Sequence, residues 1–172
     1  MIKQNLHCHT TFDDGADTPE AMVNAAVSAG LTSLGISAHS PVPGEVWCVS
    51  EENEPRFKAE LHRLREKYRG LIDVYCGLEY DSRSAQRFEG YDYVIASVHT
   101  LAGTTIDNTV EEARQVIEHY GGTDAAACAY YAHCAQLADI ARADIVGHFD
   151  LLTKFDERHC LYNSGSKVYR DA

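Results

Sequence analysis

The chain has 172 residues, of which 45% are hydrophobic and 24% are charged, and this is the composition of a soluble globular domain. These values exclude a disordered, collagen-like or low-complexity chain. The formal net charge of −11 disfavours binding to nucleic acid and to anionic membranes, because so negative a surface repels phosphate groups.

The sequence contains no run of about 18 apolar residues that could span a membrane. Its first ten residues, MIKQNLHCHT, lack the apolar core of a signal peptide. We therefore expect a cytoplasmic protein. The six cysteines include no C-x-x-C pair, and in a reducing compartment we expect them to be free thiols.

Apolar runs alternate with helical segments along the chain. The first predicted helix begins at Thr18, a capping residue followed by proline, and Thr109 with Glu112 forms a capping box for a later one. Such alternation indicates a parallel sheet or a barrel of βα units, in which the loops after the strands carry the chemistry. The predicted strands are IKQNLH (2–7), LTSLGIS (31–37), LIDVYCGL (71–78), YDYVIASV (91–98) and ADIVG (143–147), and the predicted helices are 18–30, 55–69, 109–121 and 124–141.

Each predicted strand ends at a residue that can bind a metal ion. A single histidine beside a strand is usually structural, but five of the nine histidines lie at these strand ends. Neutral imidazoles and carboxylates are ligands for zinc, iron or manganese. The sequence therefore predicts a metal site at one edge of the sheet, built from His7, His9, His39, Glu79, His99 and His148.

The spacing of the first pair gives a more specific expectation. His7 and His9 are two residues apart, so in an extended strand they point to the same side, and Cys8 packs into the wall on the other side. The two oxygens of Glu79 allow it to bridge two ions. The Asp13-Asp14-Gly15 segment is either a turn or a source of one further ligand. We expect only structural roles for His62, His119, His133 and His159.

Five segments resemble the polymerase and histidinol phosphatase (PHP) family of metal-dependent phosphoesterases, and most closely its monofunctional histidinol-phosphate phosphatases. They are NLHCHTTFDDG, LGISAHSPVP, IDVYCGLEYD, YVIASVHTL and ADIVGHFDLLTKF. Their order and spacing fit the family over nearly the whole chain. The resemblance implies a distorted (β/α)7 TIM-like barrel, present here as a single domain over residues 1–172, with two or three bound zinc, iron or manganese ions.

The resemblance also implies how the ligands are shared. His7, His9 and Glu79 would hold the first metal, Glu79, His99 and His148 the second, and Asp14 and His39 the third. It implies no role for Asp13. The family pattern closes with an Asp-x-His motif that this chain does not contain. We therefore expect a barrel truncated after about five βα units, with one ligand missing from the first and third metals. Two explanations are open: this chain is a shortened piece of a longer enzyme, or the gene product is itself truncated.

The implied activity is hydrolysis of L-histidinol phosphate to L-histidinol and phosphate in histidine biosynthesis, by attack of metal-bound hydroxide at a centre containing Glu79, His39 and His99. The expected partner is a small-molecule phosphate monoester. Two alternatives remain: a phosphoesterase for nucleotides or oligonucleotides, and a catalytically impaired metal-binding remnant. The sequence leaves the oligomeric state open.

Charged residues near the predicted strand ends suggest contacts with the substrate. Lys154 and Arg158 either contact its phosphate or are ordinary surface charges. Acidic side chains at the rim could attract a cationic amine; these are Glu45, Glu51 and Asp81.

Overall fold

A computed structural model describes residues 3–85 and 87–172. Ile2, where the first predicted strand begins, lies outside the described residues. The chain divides into two compact units. The first runs to Ile95 and includes Ala143–Ile145, and the second comprises Ala96–Arg142 and Val146–Ala172. The assignment of one domain to the whole chain stays a prediction. Among the described helices, none has the length and apolarity needed to cross a membrane.

Strands and helices follow the predicted order. The strands are β1 (Gln4–Asn5), β2 (Ser33–His39), β3 (Asp73–Tyr80), β4 (Tyr93–Ala96), β5 (Thr100–Leu101), β6 (Thr104–Thr105) and β7 (Ile145–Val146). The helices are α1 (Pro19–Ser28), α2 (Glu54–Lys67), α3 (Val110–His119), α4 (Thr123–Ala141), α5 (Asp156–His159) and α6 (Lys167–Asp171), with a 3-10 turn at Leu151–Thr153.

The main sheet has the order β1-β2-β3-β4-β7, and β1, β2 and β3 pair in parallel. In the wall of a βα-barrel the strands lie side by side in the order of the chain. In a doubly wound sheet the strand order reverses near the centre of the sheet. The structure thus confirms an α/β fold with a parallel, barrel-type sheet. The count of seven βα units and their truncation after five stay predictions.

The helix ends confirm the predicted capping. The hydroxyl of Thr18 accepts a hydrogen bond from Ala21 N at 3.2 Å, and Pro19 occupies the first helical position of α1. The Thr109 hydroxyl accepts one from Glu112 N at 3.2 Å at the start of α3. After α2, Gly70 adopts a φ of +84°, which is accessible to glycine at little cost.

The first unit has an apolar core that fixes α1 and α2 against the sheet. Side chains from both helices are fully buried together with alternate residues of β2 and β3, and Cys8 belongs to the same cluster. The largest fully buried apolar members are Phe57, Leu61, Leu64, Ile36, Val23, Val49 and Val74.

Tyr93 crosses the sheet of the first unit and bonds to the chain just before His7. Its hydroxyl donates a hydrogen bond to Leu6 O at 2.6 Å. The ring passes over Gly35 in β2 and Gly77 in β3, where an added Cβ would lie 2.1 Å and 2.2 Å from tyrosine atoms. These glycines are therefore needed for close approach of the ring.

The second unit contains a hairpin that the sequence did not predict. Strands β5 and β6 pair antiparallel through Ala102 and Gly103, which both have positive φ, 51° and 78°, as a tight two-residue turn requires. Helices α3 and α4 lie in this unit, and the buried face of α4 includes Tyr130, Cys134 and Leu137.

We expect Gly77→Ala to lower the free energy of unfolding by about 1–3 kcal/mol, because the new methyl group overlaps the Tyr93 ring. Denaturant unfolding of the substitution in the wild-type and Tyr93→Leu backgrounds checks this expectation. The cost should be smaller in the second background, where the smaller side chain leaves room. An equal cost in both would show that the ring is not what excludes a side chain at position 77.

Candidate metal centre

One oxygen of the Glu79 carboxylate is surrounded by three imidazole nitrogens. Its Oε2 lies 3.1 Å from His7 Nε2, 3.2 Å from His9 Nε2 and 3.1 Å from His39 Nδ1. The Glu79 side chain is 1% exposed. With two aspartates of the loop after β1, these residues form what we call the His-carboxylate cluster: His7, His9, Asp13, Asp14, His39 and Glu79.

The register of the sheet places two members of the cluster side by side. His39, the last residue of β2, is the direct cross-strand partner of Glu79 in β3. Both were predicted at strand ends, and the parallel pairing of β2 with β3 brings them together.

His7 and His9 lie beyond the end of β1, which is shorter than predicted. The extended chain still follows β2, because Ser37 N donates a hydrogen bond to Cys8 O at 3.0 Å. Cys8 is buried in the core, and the two histidines face Glu79. The prediction that Cys8 packs inward while His7 and His9 point to the other side is confirmed. The register of this segment comes from hydrogen bonding to β2 rather than from a long β1.

The loop after β1 is tightly closed on itself. Thr10 O accepts hydrogen bonds from Asp13 N at 2.9 Å and Gly15 N at 3.1 Å. A Cβ at Gly15 would lie 2.3 Å from the backbone carbon of His9, so only glycine fits. This closure places Asp14 Oδ1 3.5 Å from His9 Nδ1 and Asp14 Oδ2 3.7 Å from His39 Nε2.

The donor set of the cluster fits a divalent cation. Two groups, His7-His9-Glu79 and His9-Asp13-Asp14-His39, each offer ligand atoms that lie within 4.8 Å of one another. Nitrogen and oxygen ligands bound at about 2.0–2.2 Å to one tetrahedral zinc ion lie about 3.3 Å or slightly more from each other. The separations around Glu79 Oε2 are close to this value, so these residues could hold an ion with little movement.

The charges around His9 also favour a cation. Burial lowers the pKa of the His9 imidazole, but hydrogen bonds to Asp13 and Glu79 and the charges of both carboxylates outweigh burial and raise it to about 10. The His9 and His39 rings stack at 4.3 Å between centroids. The carboxylates therefore stabilise positive charge at this place, whether it is a proton or a metal ion.

The other two predicted ligands meet within the second unit. His99 Nε2 and His148 Nε2 are 3.2 Å apart. Hydrogen bonds fix the backbone carbonyls of both residues: Ile106 N donates to His99 O at 3.0 Å, and the Tyr130 hydroxyl donates to His148 O at 3.2 Å. Two facing Nε2 atoms are a suitable pair of ligands for one ion.

The two predicted phosphate contacts are surface residues. Lys154 Nζ lies 3.3 Å from Asp107 Oδ2 in a half-exposed ion pair, and Arg158 is exposed in the short helix α5. Their assignment to the phosphate stays a prediction.

Two arginines pair with the three carboxylates of the predicted acidic rim. Arg83 Nη1 lies 3.0 Å from Glu45 Oε1, and Arg83 Nε lies 3.1 Å from Asp81 Oδ1. Glu51 pairs with Arg87 at 3.5 Å. Each of the three carboxylates thus has an arginine partner, and the attraction of a cationic amine by this rim stays a prediction.

The cysteines and the histidines without a predicted ligand role lie outside the His-carboxylate cluster, although Cys8 adjoins it in the chain. The six cysteines are free, as expected. Of the histidines assigned no ligand role, His62, His119 and His159 are exposed and His133 is partly buried. Sequence reasoning assigned no role to Asp13, whose side chain bonds to His9. Its position four residues after a predicted ligand histidine, inside a turn, was the available signal.

A parallel sheet with imidazole and carboxylate side chains at and just after the carboxyl ends of its strands defines the class of α/β proteins with a candidate metal site at this edge of the sheet. Comparison with known families agrees with this class, since residues 5–171 match the model of the PHP domain. The chain belongs to the PHP domain family.

Two curated relatives carry the same description. A probable histidinol-phosphatase of Deinococcus radiodurans is 32% identical over 161 residues, which cover 87% of this chain and 61% of the relative. A probable histidinol-phosphatase of Schizosaccharomyces pombe is 24% identical, with 86% of this chain and 56% of the relative covered. The chain thus spans about three fifths of the length of these relatives.

Solved structures show the same fold. The crystal structure of a putative histidinol phosphatase from Listeria monocytogenes superposes with a TM-score of 0.84 at 21% identity, covering 98% of this chain and 75% of that one. A histidinol phosphate phosphatase from Lactococcus lactis, complexed with zinc, L-histidinol and phosphate, gives a TM-score of 0.69 at 22% identity, with coverages of 88% and 59%.

We expect Glu79→Gln to weaken zinc binding about 100-fold or more, because a neutral amide replaces the anionic oxygen that faces three imidazoles. Competition with a chromophoric chelator measures this affinity. The matched control is Glu60→Gln, the same change on α2, where Glu60 pairs with Arg63 at the surface. Equal zinc affinity in the two variants would exclude Glu79 from the metal centre.

Proposed function

We propose that this chain is a metal-dependent phosphomonoesterase that hydrolyses L-histidinol phosphate to L-histidinol and phosphate. The observation that carries the proposal is the His-carboxylate cluster, in which the buried Glu79 oxygen faces three imidazoles. Membership of the PHP family and the descriptions of both curated relatives support this reaction and substrate. Its placement in histidine biosynthesis and in the cytoplasm is part of the same proposal.

The metal ligands of the proposal are the predicted ones. Within the first unit, His7, His9 and Glu79 would hold one ion, and Asp14 and His39 would contribute to another. Within the second unit, His99 and His148 would share an ion. The zinc in the Lactococcus lactis structure supports zinc as one suitable metal, and imidazole with carboxylate also suits iron and manganese. Two or three ions follow from this ligand set, and the bridging role of Glu79 stays a prediction.

Bound divalent ions would neutralise the substrate phosphate, which carries about two negative charges near neutral pH, and would lower the pKa of a coordinated water. The residues of the chain supply the geometry. Glu79 faces the ring nitrogens of His7, His9 and His39 at fixed distances, and the loop after β1 holds Asp14 beside His9 and His39. Such preorganisation lowers the barrier because the ligands need not reorganise during the reaction.

Release of inorganic phosphate tests the proposal. With zinc or manganese present, we expect the chain to hydrolyse L-histidinol phosphate faster than an aryl phosphate or a dinucleotide. A chelator should abolish the activity and added metal should restore it. Preference for the dinucleotide would favour a nucleotide phosphoesterase. Bound metal without hydrolysis of any of the three would contradict the enzyme proposal and favour a metal-binding remnant.

The histidine pair of the second unit can be tested separately. We expect His99→Ala and His148→Ala each to lower the metal content per chain, because each removes one imidazole of a facing pair. Elemental analysis after dialysis against limiting zinc measures this content. His62→Ala, which removes an exposed imidazole from α2, is the matched control. Unchanged metal in both variants would remove His99 and His148 from the ligand set.

A further inference from the structure

Asp13 makes three hydrogen bonds inside the His-carboxylate cluster. Its Oδ1 accepts from Thr10 N at 2.9 Å. Its Oδ2 accepts from His39 N at 3.0 Å and lies 2.7 Å from His9 Nδ1. The Asp13 side chain is fully buried, with 0% exposure. One carboxylate therefore connects the loop after β1, the end of β2 and the ring of His9.

The contact with His9 determines which ring nitrogen faces the candidate metal centre. A carboxylate only accepts hydrogen bonds, so His9 Nδ1 carries the proton in this contact. Nε2 is then the nitrogen that can bind an ion, and it is the atom that lies 3.2 Å from Glu79 Oε2. Metal-binding histidines are commonly oriented in this way by a carboxylate on their other ring nitrogen.

The neighbouring aspartate has a different environment. Asp14 is 49% exposed, and its oxygens lie 3.5 Å from His9 Nδ1 and 3.7 Å from His39 Nε2, beyond good hydrogen-bond distance. Asp14 is thus available to an ion, whereas Asp13 is engaged with two backbone N–H groups and an imidazole. The geometry therefore suits Asp14 to contact an ion and Asp13 to hold neighbouring groups in place.

We propose that Asp13 is a positioning residue of the metal centre, which fixes the His9 ring with Nε2 toward the ion and holds the backbone of His39 beside it. This inference rests on the proposed function, because it requires that His9 bind a metal. It assigns a role to the first aspartate of the Asp13-Asp14-Gly15 segment and explains what holds His9, in the segment after β1, next to His39 at the end of β2.

The first test compares zinc affinity in three proteins: the wild type, Asp13→Asn and Asp17→Asn. We expect the Asp13 variant to lose affinity about 10–100-fold, since an amide cannot accept all three hydrogen bonds. Asp17 lies exposed in the same loop, so its variant controls for the lost charge and should bind like the wild type. Circular dichroism verifies folding. Affinity of the Asp13 variant within twofold of the wild type would overturn the inference.

The second test needs no variant and separates positioning from direct ligation. In the zinc-loaded wild-type protein, nitrogen-15 correlation spectra of the histidine rings should show His9 coordinated through Nε2 and protonated at Nδ1. Coordination through Nδ1 would place Asp13 outside this role and overturn the inference. A wild-type chain that binds no zinc would overturn the proposed metal centre and the inference together, whereas zinc binding with an indifferent Asp13 would overturn the inference alone.

Discussion

The structure of the first unit depends on a carboxylate that is buried among imidazoles. A buried carboxylate is costly unless positive charge or several hydrogen bonds offset its lost hydration. Glu79 meets this condition through ring nitrogens from His7, His9 and His39, which can act as proton donors or as metal ligands. The same arrangement is therefore favourable whether protons or an ion supply the positive charge. The candidate ligands are already close together before an ion binds.

The fold supports this arrangement by holding the backbone on both sides of it. The hydroxyl of Tyr93 donates a hydrogen bond to Leu6 O, and Ser37 N donates one to Cys8 O, so the backbone is held on both sides of His7 and just before His9. Gly35 and Gly77 leave the space that the tyrosine ring crosses. The positions of the candidate ligands are thus set by close packing inside the sheet, where small displacements are energetically costly.

Local patterns in the sequence predicted the helices, the strands and the candidate ligands. Contacts between distant parts of the chain decided the path of the segment after β1 and the partners of the acidic side chains. The caps at Thr18 and Thr109 and the two-residue spacing of His7 and His9 are local signals, and the structure agrees with them. The extended segment after β1 depends on Ser37 in another strand. The pairing of Glu45 and Asp81 with one arginine also joins distant parts of the chain. Neither pattern is visible in sequence periodicity.

Asp13 shows the same limit within a short segment. In the sequence it is one of two adjacent aspartates before a glycine, and turn chemistry accounts for both. Its proposed positioning role is visible only in the folded structure, where His39 N at the end of β2 donates a hydrogen bond to it at 3.0 Å. A residue that connects two elements is defined by both of them, so its role follows from the fold and not from its neighbours in the chain.

Similarity of fold does not by itself decide the substrate. The Listeria monocytogenes structure superposes closely at only 21% identity, so the fold persists while most side chains differ, and one fold can support several reactions. Under the proposed function, the metal ligands would act on the phosphate, which all phosphate esters share. Discrimination among esters would then have to come from other groups beside the cluster. The Trp47 ring packs edge-on against His39 at 5.0 Å, and the Arg83 guanidinium lies over the Trp47 ring, so under the proposed function these two side chains are the described groups beside His39 that could contact the rest of the ester.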